Sequence, residues 1–275
     1  MKKAFASFGL FLALLLCGTS SWADTTHYVR YAHADGISYG ILQGDKILEL
    51  DGAPWLDGRP TGESVAKIKV RLLAPVKPSK VFAVGFNYDS HRGDRELPEH
   101  PPIFLKLPTT ITGENTVIVP PAGATDVHYE AELVVVIGKT AKNVSVADAN
   151  NYIFGVTAGN DISERQWQAN DLQWFRGKAS DNFGPIGPSI VTGLNYNDVL
   201  VQSRLNGEVM QSQRTRDFIH DAHAIVSHIS QYATLYPGDV IFTGTPGSTS
   251  AMKPGDVIEI EVEGVGILRN TIGEF

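Results

Sequence analysis

A β-rich α+β fold is predicted by three features of the sequence. Short apolar runs of strand-like composition recur along the chain, the clearest at residues 81–84, 133–137 and 156–158. Only one stretch, residues 217–235, spaces its apolar side chains as an amphipathic helix does, through Phe218, Ala222, Ile225, Ile229 and Tyr232. Strands nowhere alternate with long helical patterns, which disfavours a doubly wound sheet or a TIM-type barrel.

Composition supports a globular chain. Of 275 residues, 43% are hydrophobic and 19% charged. A net charge of −7 argues against nucleic acid as a partner, because phosphate binding needs clustered Lys and Arg. The single cysteine, Cys17, rules out an intrachain disulfide and a thiolate zinc site.

The N-terminus reads as an export signal over residues 1–23. Lys2 and Lys3 precede an apolar-plus-glycine run at 8–17, and Ser21-Trp22-Ala23 places small residues before Asp24. The run is short for a membrane span, which needs about 20 apolar residues. Cleavage would give a periplasmic chain of 252 residues without cysteine, with no stable membrane span and a net charge of −9.

Residues 27–50 alternate in polarity around Asp35-Gly36 and Gly44-Asp45, the pattern of a small antiparallel meander. A polar stretch and linker follow, so a small N-terminal domain is expected over residues 24–74 and a catalytic domain over 75–275. Pro-Gly-Asp-Val-Ile occurs twice, at 237–241 and 254–258, each a tight turn opening a strand. Ser163-Glu164-Arg165-Gln166 fits a capping box, predicting a short helix just after Asp161.

The segment His128-Tyr129-Glu130-Ala131-Glu132-Leu133 carries the most chemistry. Strand side chains alternate, so Glu130 and Glu132 share a face. Two such carboxylates fit either a solvated strand face or a divalent cation between them. All-oxygen ligation favours Mg²⁺, Mn²⁺ or Ca²⁺ over zinc. Asp161 ends an apolar strand 29 residues later, as a site residue or a simple helix-entry aspartate. His91 and Asp94 are three apart, which on a helix would let the carboxylate orient the imidazole as a general base; a loop histidine is the plainer alternative. Lys106 and Lys178 follow apolar residues, where they could snorkel or face an anion.

Together these segments resemble the fumarylacetoacetate hydrolase family. The matching stretches are Val84-Gly85-Phe86-Asn87-Tyr88 through His91, Phe104-Leu105-Lys106, Tyr129-Glu130-Ala131-Glu132-Leu133, and Asn160-Asp161-Ile162-Ser163-Glu164-Arg165 with Gln168. They continue through Lys178, Gly184-Pro185-Ile186-Gly187-Pro188, Asn206-Gly207-Glu208 and Pro237-Gly238-Asp239-Val240-Ile241 to Thr245-Pro246, in order over about residues 72–272.

The resemblance implies a mixed β-roll and a homodimer. It implies Mg²⁺ or Mn²⁺ on Glu130, Glu132 and Asp161, with Ca²⁺ also admitted. The substrate would be a small anionic 2-oxo or β-dicarbonyl acid. Expected foremost is hydrolysis of a C–C bond in an acylpyruvate, with oxaloacetate decarboxylation, dienoate isomerisation or hydration, or a catalytically weak carboxylate-binding protein as alternatives. His91, oriented by Asp94, would activate water. Lys106 and Lys178 would offset negative charge, and Arg165, Gln168 and Thr245 would bind substrate. The chain departs from the family pattern at two places. Asp94 stands where Glu is usual, and Gly247-Ser248-Thr249-Ser250 replaces the usual Ala-Gly-Val.

Overall fold

A computed structural model describes residues 25–275. The export signal expected at 1–23, with Cys17, lies outside the described residues. No helix among the described residues is long and apolar enough to cross a membrane.

The protein is sheet-rich with few, short helices, as the sequence predicts. A twelve-stranded mixed sheet forms one layer and a five-stranded sheet the other. The N-terminal strands Thr26–His33, Gly36–Gln43 and Lys46–Leu50 form the predicted meander. They join the larger sheet directly, because Thr26–His33 pairs antiparallel with Gly184–Thr192. The order then runs through Ile153–Asn160, Ala131–Ile137, Val240–Phe242 and Val81–Val84 to Ile103–Lys106 at the edge. The stretch expected as linker contributes two more strands. Pro60–Ala66 pairs with Lys46–Leu50, and Arg71–Leu73 with Thr26–His33.

Ala131–Ile137 is the central strand, and all seven of its residues are buried. A strand covered on both faces reads as a continuous apolar run, which Leu133-Val134-Val135-Val136-Ile137 is. Leu133, Val135 and Ile137 face the main core with Ile258, Ile260 and Leu268 of the smaller sheet. Val134 and Val136 face a second cluster with Ile186, Ile190 and Phe242.

The two Pro-Gly-Asp-Val-Ile copies close alike. Asp239 accepts from the Tyr236 amide and Asp256 from the Lys253 amide, both at 2.7 Å. Their strands, Val240–Phe242 and Val257–Val262, follow each other in the chain but belong to different sheets.

Two helix boundaries differ from expectation. The long helix spans Ala222–Tyr232 rather than 217–235. Asp221 caps it by accepting from the Ala224 amide at 2.8 Å, and Phe218 ahead of it closes a separate 3-10 turn, Thr215–Asp217, with non-helical backbone. The short helix begins at Arg165, not directly after Asp161. Glu164 caps it through the Trp167 amide, while the Ser163 hydroxyl turns back to the Asp161 carbonyl.

Candidate active site

The register of two neighbouring strands builds the acidic centre. Glu132 lies opposite Gly159, and Ala131 opposite Asn160. The Asp161 amide then donates to the Glu130 carbonyl at 2.9 Å, so Asp161 arrives beside both glutamates. A carboxylate oxygen from each of Glu130, Glu132 and Asp161 lies within 4.8 Å of the others, and all three residues are buried. Gly159 has to be small. A β-carbon there would sit 2.4 Å from Val134 Cγ2 and 2.7 Å from Phe242 Cε1.

Three cations surround the three acids. Lys178 Nζ donates to Glu130 Oε2 at 2.6 Å and Asp161 Oδ2 at 2.8 Å. Lys106 Nζ donates to Asp161 Oδ1 at 2.6 Å and to the Lys178 carbonyl. Arg165 reaches Glu130 Oε1 at 2.7 Å. Burial works against the charge on Glu130, but Lys178, Arg165 and His91 together pull its carboxyl well below the ordinary range. Burial also opposes the charge on Lys178, yet Asp161 and Glu130 raise its ammonium above the usual value. Lys106 is pushed down by burial despite Asp161.

Glu132 is the exception. Burial, then Asp161, then Glu130 push its carboxyl well above the ordinary value. Its one strong partner is the Gly244 amide, which donates to Oε2 at 2.6 Å. Among the described residues no cation lies within salt-bridge reach of Glu132. A buried carboxylate without a counter-charge is costly. Three convergent, all-oxygen ligands, one of them without a directly paired cation, fit a hard divalent cation.

His91 sits on the helix Asp89–Arg92 at the rim of this centre. Its Nδ1 donates to the Gly247 carbonyl at 2.7 Å, because a carbonyl can only accept. Nε2 is therefore the basic nitrogen of the neutral ring, 3.8 Å from Glu130 Oε1. The expected His91–Asp94 pair does not form. Gly93 takes φ +61° and ends the helix after Arg92, so Asp94 leaves the helical spacing. Asp94 is exposed and has no hydrogen bond or ion pair among the described residues.

The other expected residues divide by position. Lys178, Gln168 and Thr245 line a small chamber of about 20 Å³ with His91 and Glu130, room for roughly one water. Arg165 and Gln168 also line an adjoining outer cavity of about 730 Å³. Lys106 lines neither; it stands behind Asp161 and orients it. The Thr245 hydroxyl donates to the Ala131 carbonyl at 2.9 Å and accepts from Gln211 Nε2 at 2.8 Å. Its proton is thus committed to the wall, not to a substrate carboxylate.

Three buried residues that sequence reasoning missed hold this arrangement. Gln211, from the smaller sheet, accepts from the Ala131 amide between the two glutamates and donates to Thr245 and the Pro246 carbonyl. Asn160 accepts from the Glu130 amide at 2.8 Å. Asn87 donates to the Thr243 and His220 carbonyls and accepts from the His220 amide. Gly244, at φ +103°, lets that turn approach; a β-carbon would lie 2.6 Å from Asn87 Cβ. The Asn87 signal was present inside Gly85-Phe86-Asn87-Tyr88, but Gln211 lies in an unremarkable polar strand.

The chain matches known proteins over nearly all of this architecture. The family profile described as fumarylacetoacetate (FAA) hydrolase C-terminal matches residues 80–273, and the Rv2993c-like N-terminal profile matches residues 26–75. Protein Rv2993c of Mycobacterium tuberculosis is 43% identical over 255 residues, 88% of this chain and 96% of that protein. Human mitochondrial oxaloacetate tautomerase FAHD2A is 37% identical over 219 residues, 74% of this chain and 70% of that one. Among solved structures, 5-carboxymethyl-2-hydroxymuconate delta-isomerase from Mycobacterium smegmatis superposes with a TM-score of 0.86 at 42% identity, covering 90% of this chain and 100% of that one. Fumarylpyruvate hydrolase from Pseudomonas aeruginosa, in complex with Mn²⁺ and pyruvate, gives 0.69 at 27% identity, covering 74% and 92%. Strand register, buried acidic triad and profile agree across the chain: it belongs to the fumarylacetoacetate hydrolase family.

Proposed function

We propose that the protein is a divalent-metal-dependent enzyme that moves the C3 proton of a small 2-oxo acid, interconverting keto and enol forms or isomers related through them. The observation that carries this reading is the setting of His91. Its Nδ1 is fixed by the Gly247 carbonyl, and its Nε2 faces the acidic centre, 3.8 Å from Glu130 Oε1 and so beyond hydrogen-bond reach of it.

Glu130, Glu132 and Asp161 would hold Mg²⁺ or Mn²⁺, which supplies Lewis-acid polarisation of the 2-oxo group. His91 Nε2 takes the C3 proton and returns it to oxygen or to another carbon. A C–H flanked by two carbonyl groups is acidic enough for an unassisted imidazole. Lys178, at the chamber wall, offsets the negative charge that develops on the enolate. Gln168 and Arg165 orient the remainder of the substrate. No step requires an activated water, and none requires Asp94.

The isomerase and tautomerase relatives support this reading. Acylpyruvate hydrolysis is the second reading, supported by the resemblance to the Mn²⁺- and pyruvate-containing fumarylpyruvate hydrolase. It uses the same enolate stabilisation but adds a water. An ultraviolet assay with oxaloacetate, an acylpyruvate and a hydroxymuconate, with product analysis, separates the two. The expected result is Mg²⁺- or Mn²⁺-dependent loss of enol absorbance with no carbon fragment released. Stoichiometric pyruvate and carboxylic acid from the acylpyruvate would put hydrolysis first.

We infer also that the enzyme works outside the cytoplasm, on the strength of residues 1–23. Expression of the full chain in a Gram-negative host should place it in the periplasm with Asp24 as its N-terminus by mass spectrometry. A full-length chain in the cytoplasm would contradict export.

A further inference from the structure

The wall of the outer cavity contains a hydrogen-bond chain in which each proton has one place. The Asp126 carboxylate only accepts, so His128 donates Nε2–H to it at 2.9 Å. Nδ1 of the neutral ring is then an acceptor and takes the Thr249 hydroxyl proton at 2.8 Å. That leaves the Thr249 oxygen to accept from Arg165 NH2 at 2.9 Å. Arg165 NH1 donates in turn to Gln168 Oε1 at 2.8 Å. This last bond settles the Gln168 flip: its oxygen is on Arg165, and its amide NH₂ has no partner among the described residues. Gln168 lines both the inner chamber and the outer cavity.

The outer cavity is far larger than a four-carbon acid needs. Its volume of about 730 Å³ lies within the roughly 300–1,000 Å³ of drug-sized ligand sites. Phe86 and Trp174 give it aromatic walls, and the Arg95 guanidinium lies 4.6 Å above the Phe86 ring.

We propose that Thr249, set by Asp126 and His128, is a specificity-determining positioning residue: it holds Arg165, and through it the Gln168 amide, to meet an oxygen on the far part of a 2-oxo acid whose chain runs past four carbons into the outer cavity. This deepens the proposed function and rests on its oxo-acid site. The hydroxyl has two bonds to make, so an isosteric loss breaks the chain at one point and leaves Arg165 NH2 held by Glu130 Oε1, at 2.7 Å, without the second anchor that sets its direction. Thr249→Val keeps the shape and removes both bonds; Thr249→Ser keeps both.

Calorimetric titration at saturating Mn²⁺ tests this, with pyruvate and 2-oxoheptanedioate as probes. Wild type is expected to bind the longer acid about ten-fold more tightly, the worth of one hydrogen bond involving a charged group. Thr249→Val should bring that ratio to about one, Thr249→Ser should restore it, and His128→Gln should lower it by disturbing Thr249. A ratio near one in wild type, or an unchanged ratio in Thr249→Val, overturns the proposal. Failure of pyruvate itself to bind with Mn²⁺ overturns the oxo-acid site on which it rests. His128→Gln serves as the second variant should Thr249→Val not fold.

Discussion

Glu132→Gln is expected to abolish metal-dependent turnover, by roughly a thousand-fold or more, while leaving the metal-free protein as stable as wild type or more stable. The first half follows from the loss of one charged ligand of three and with it a Lewis acid worth several kcal/mol. The second half follows from the surroundings of Glu132. Among the described residues no cation pairs with it, and its carboxyl is pushed well above its ordinary value by burial and by its acidic neighbours. The amide keeps an oxygen for the Gly244 N–H and removes the repulsion. Glu130→Ala is the contrasting variant. It also removes a ligand, but it leaves Lys178 and Arg165 without one of their buried partners, so stability should fall by about 3–5 kcal/mol. Denaturant unfolding with chelator present, beside the ultraviolet assay, reads both effects. Wild-type rates in Glu132→Gln would remove the metal site from the mechanism.

His91→Asn should lower kcat by about 10²–10⁴-fold, the usual contribution of a positioned general base. KM and Mn²⁺ affinity should change little, because His91 lies beyond hydrogen-bond distance of Glu130 and is not one of the three acids. Asp94→Ala provides the comparison. Asp94 is exposed and apart from His91, so its loss should change kcat by less than about two-fold. A loss in Asp94→Ala approaching that of His91→Asn would mean that the two act as a dyad during turnover. It would also restore water activation to the mechanism.

The acidic centre was legible partly through short-range rules, which gave the shared face, and partly through the family resemblance, which joined Glu130, Glu132 and Asp161 as one ligand set. The two-residue spacing of Glu130 and Glu132 within a β-forming run predicts a shared face, and the structure places both at the triad. Asp161 was legible as a strand-terminal residue, but its partner strand was not. That depends on the pairing of Ala131–Ile137 with Ile153–Asn160, which local pattern does not specify. The His91–Asp94 spacing misled for a local reason. Three residues make a turn only if the helix continues, and Gly93 stops it. Lys106 and Lys178 read alike in sequence, yet one stands behind Asp161 and the other faces the chamber. Only the chain crossings around them decide which. Gln211 was invisible because a glutamine in a strand usually faces solvent. Here the smaller sheet carries it into the wall, where both ends of its amide are used.

The N-terminal strands show the same limit. Alternation around Asp35-Gly36 and Gly44-Asp45 predicted the meander and its turns. It carried no sign that Thr26–His33 would pair with Gly184–Thr192 and extend the central sheet. The proposed export from the cytoplasm rests on residues 1–23 alone and is tested by fractionation, not by the fold.

The most direct measurement is proton NMR of a 2-oxo acid in D₂O with catalytic amounts of enzyme and Mg²⁺. Metal-dependent proton transfer at C3 predicts loss of the C3 proton signal through deuterium uptake, with the carbon skeleton intact. That exchange should stop with a chelator and in both Glu132→Gln and His91→Asn. Exchange no faster than in buffer, or exchange unaffected by chelator, would contradict the account.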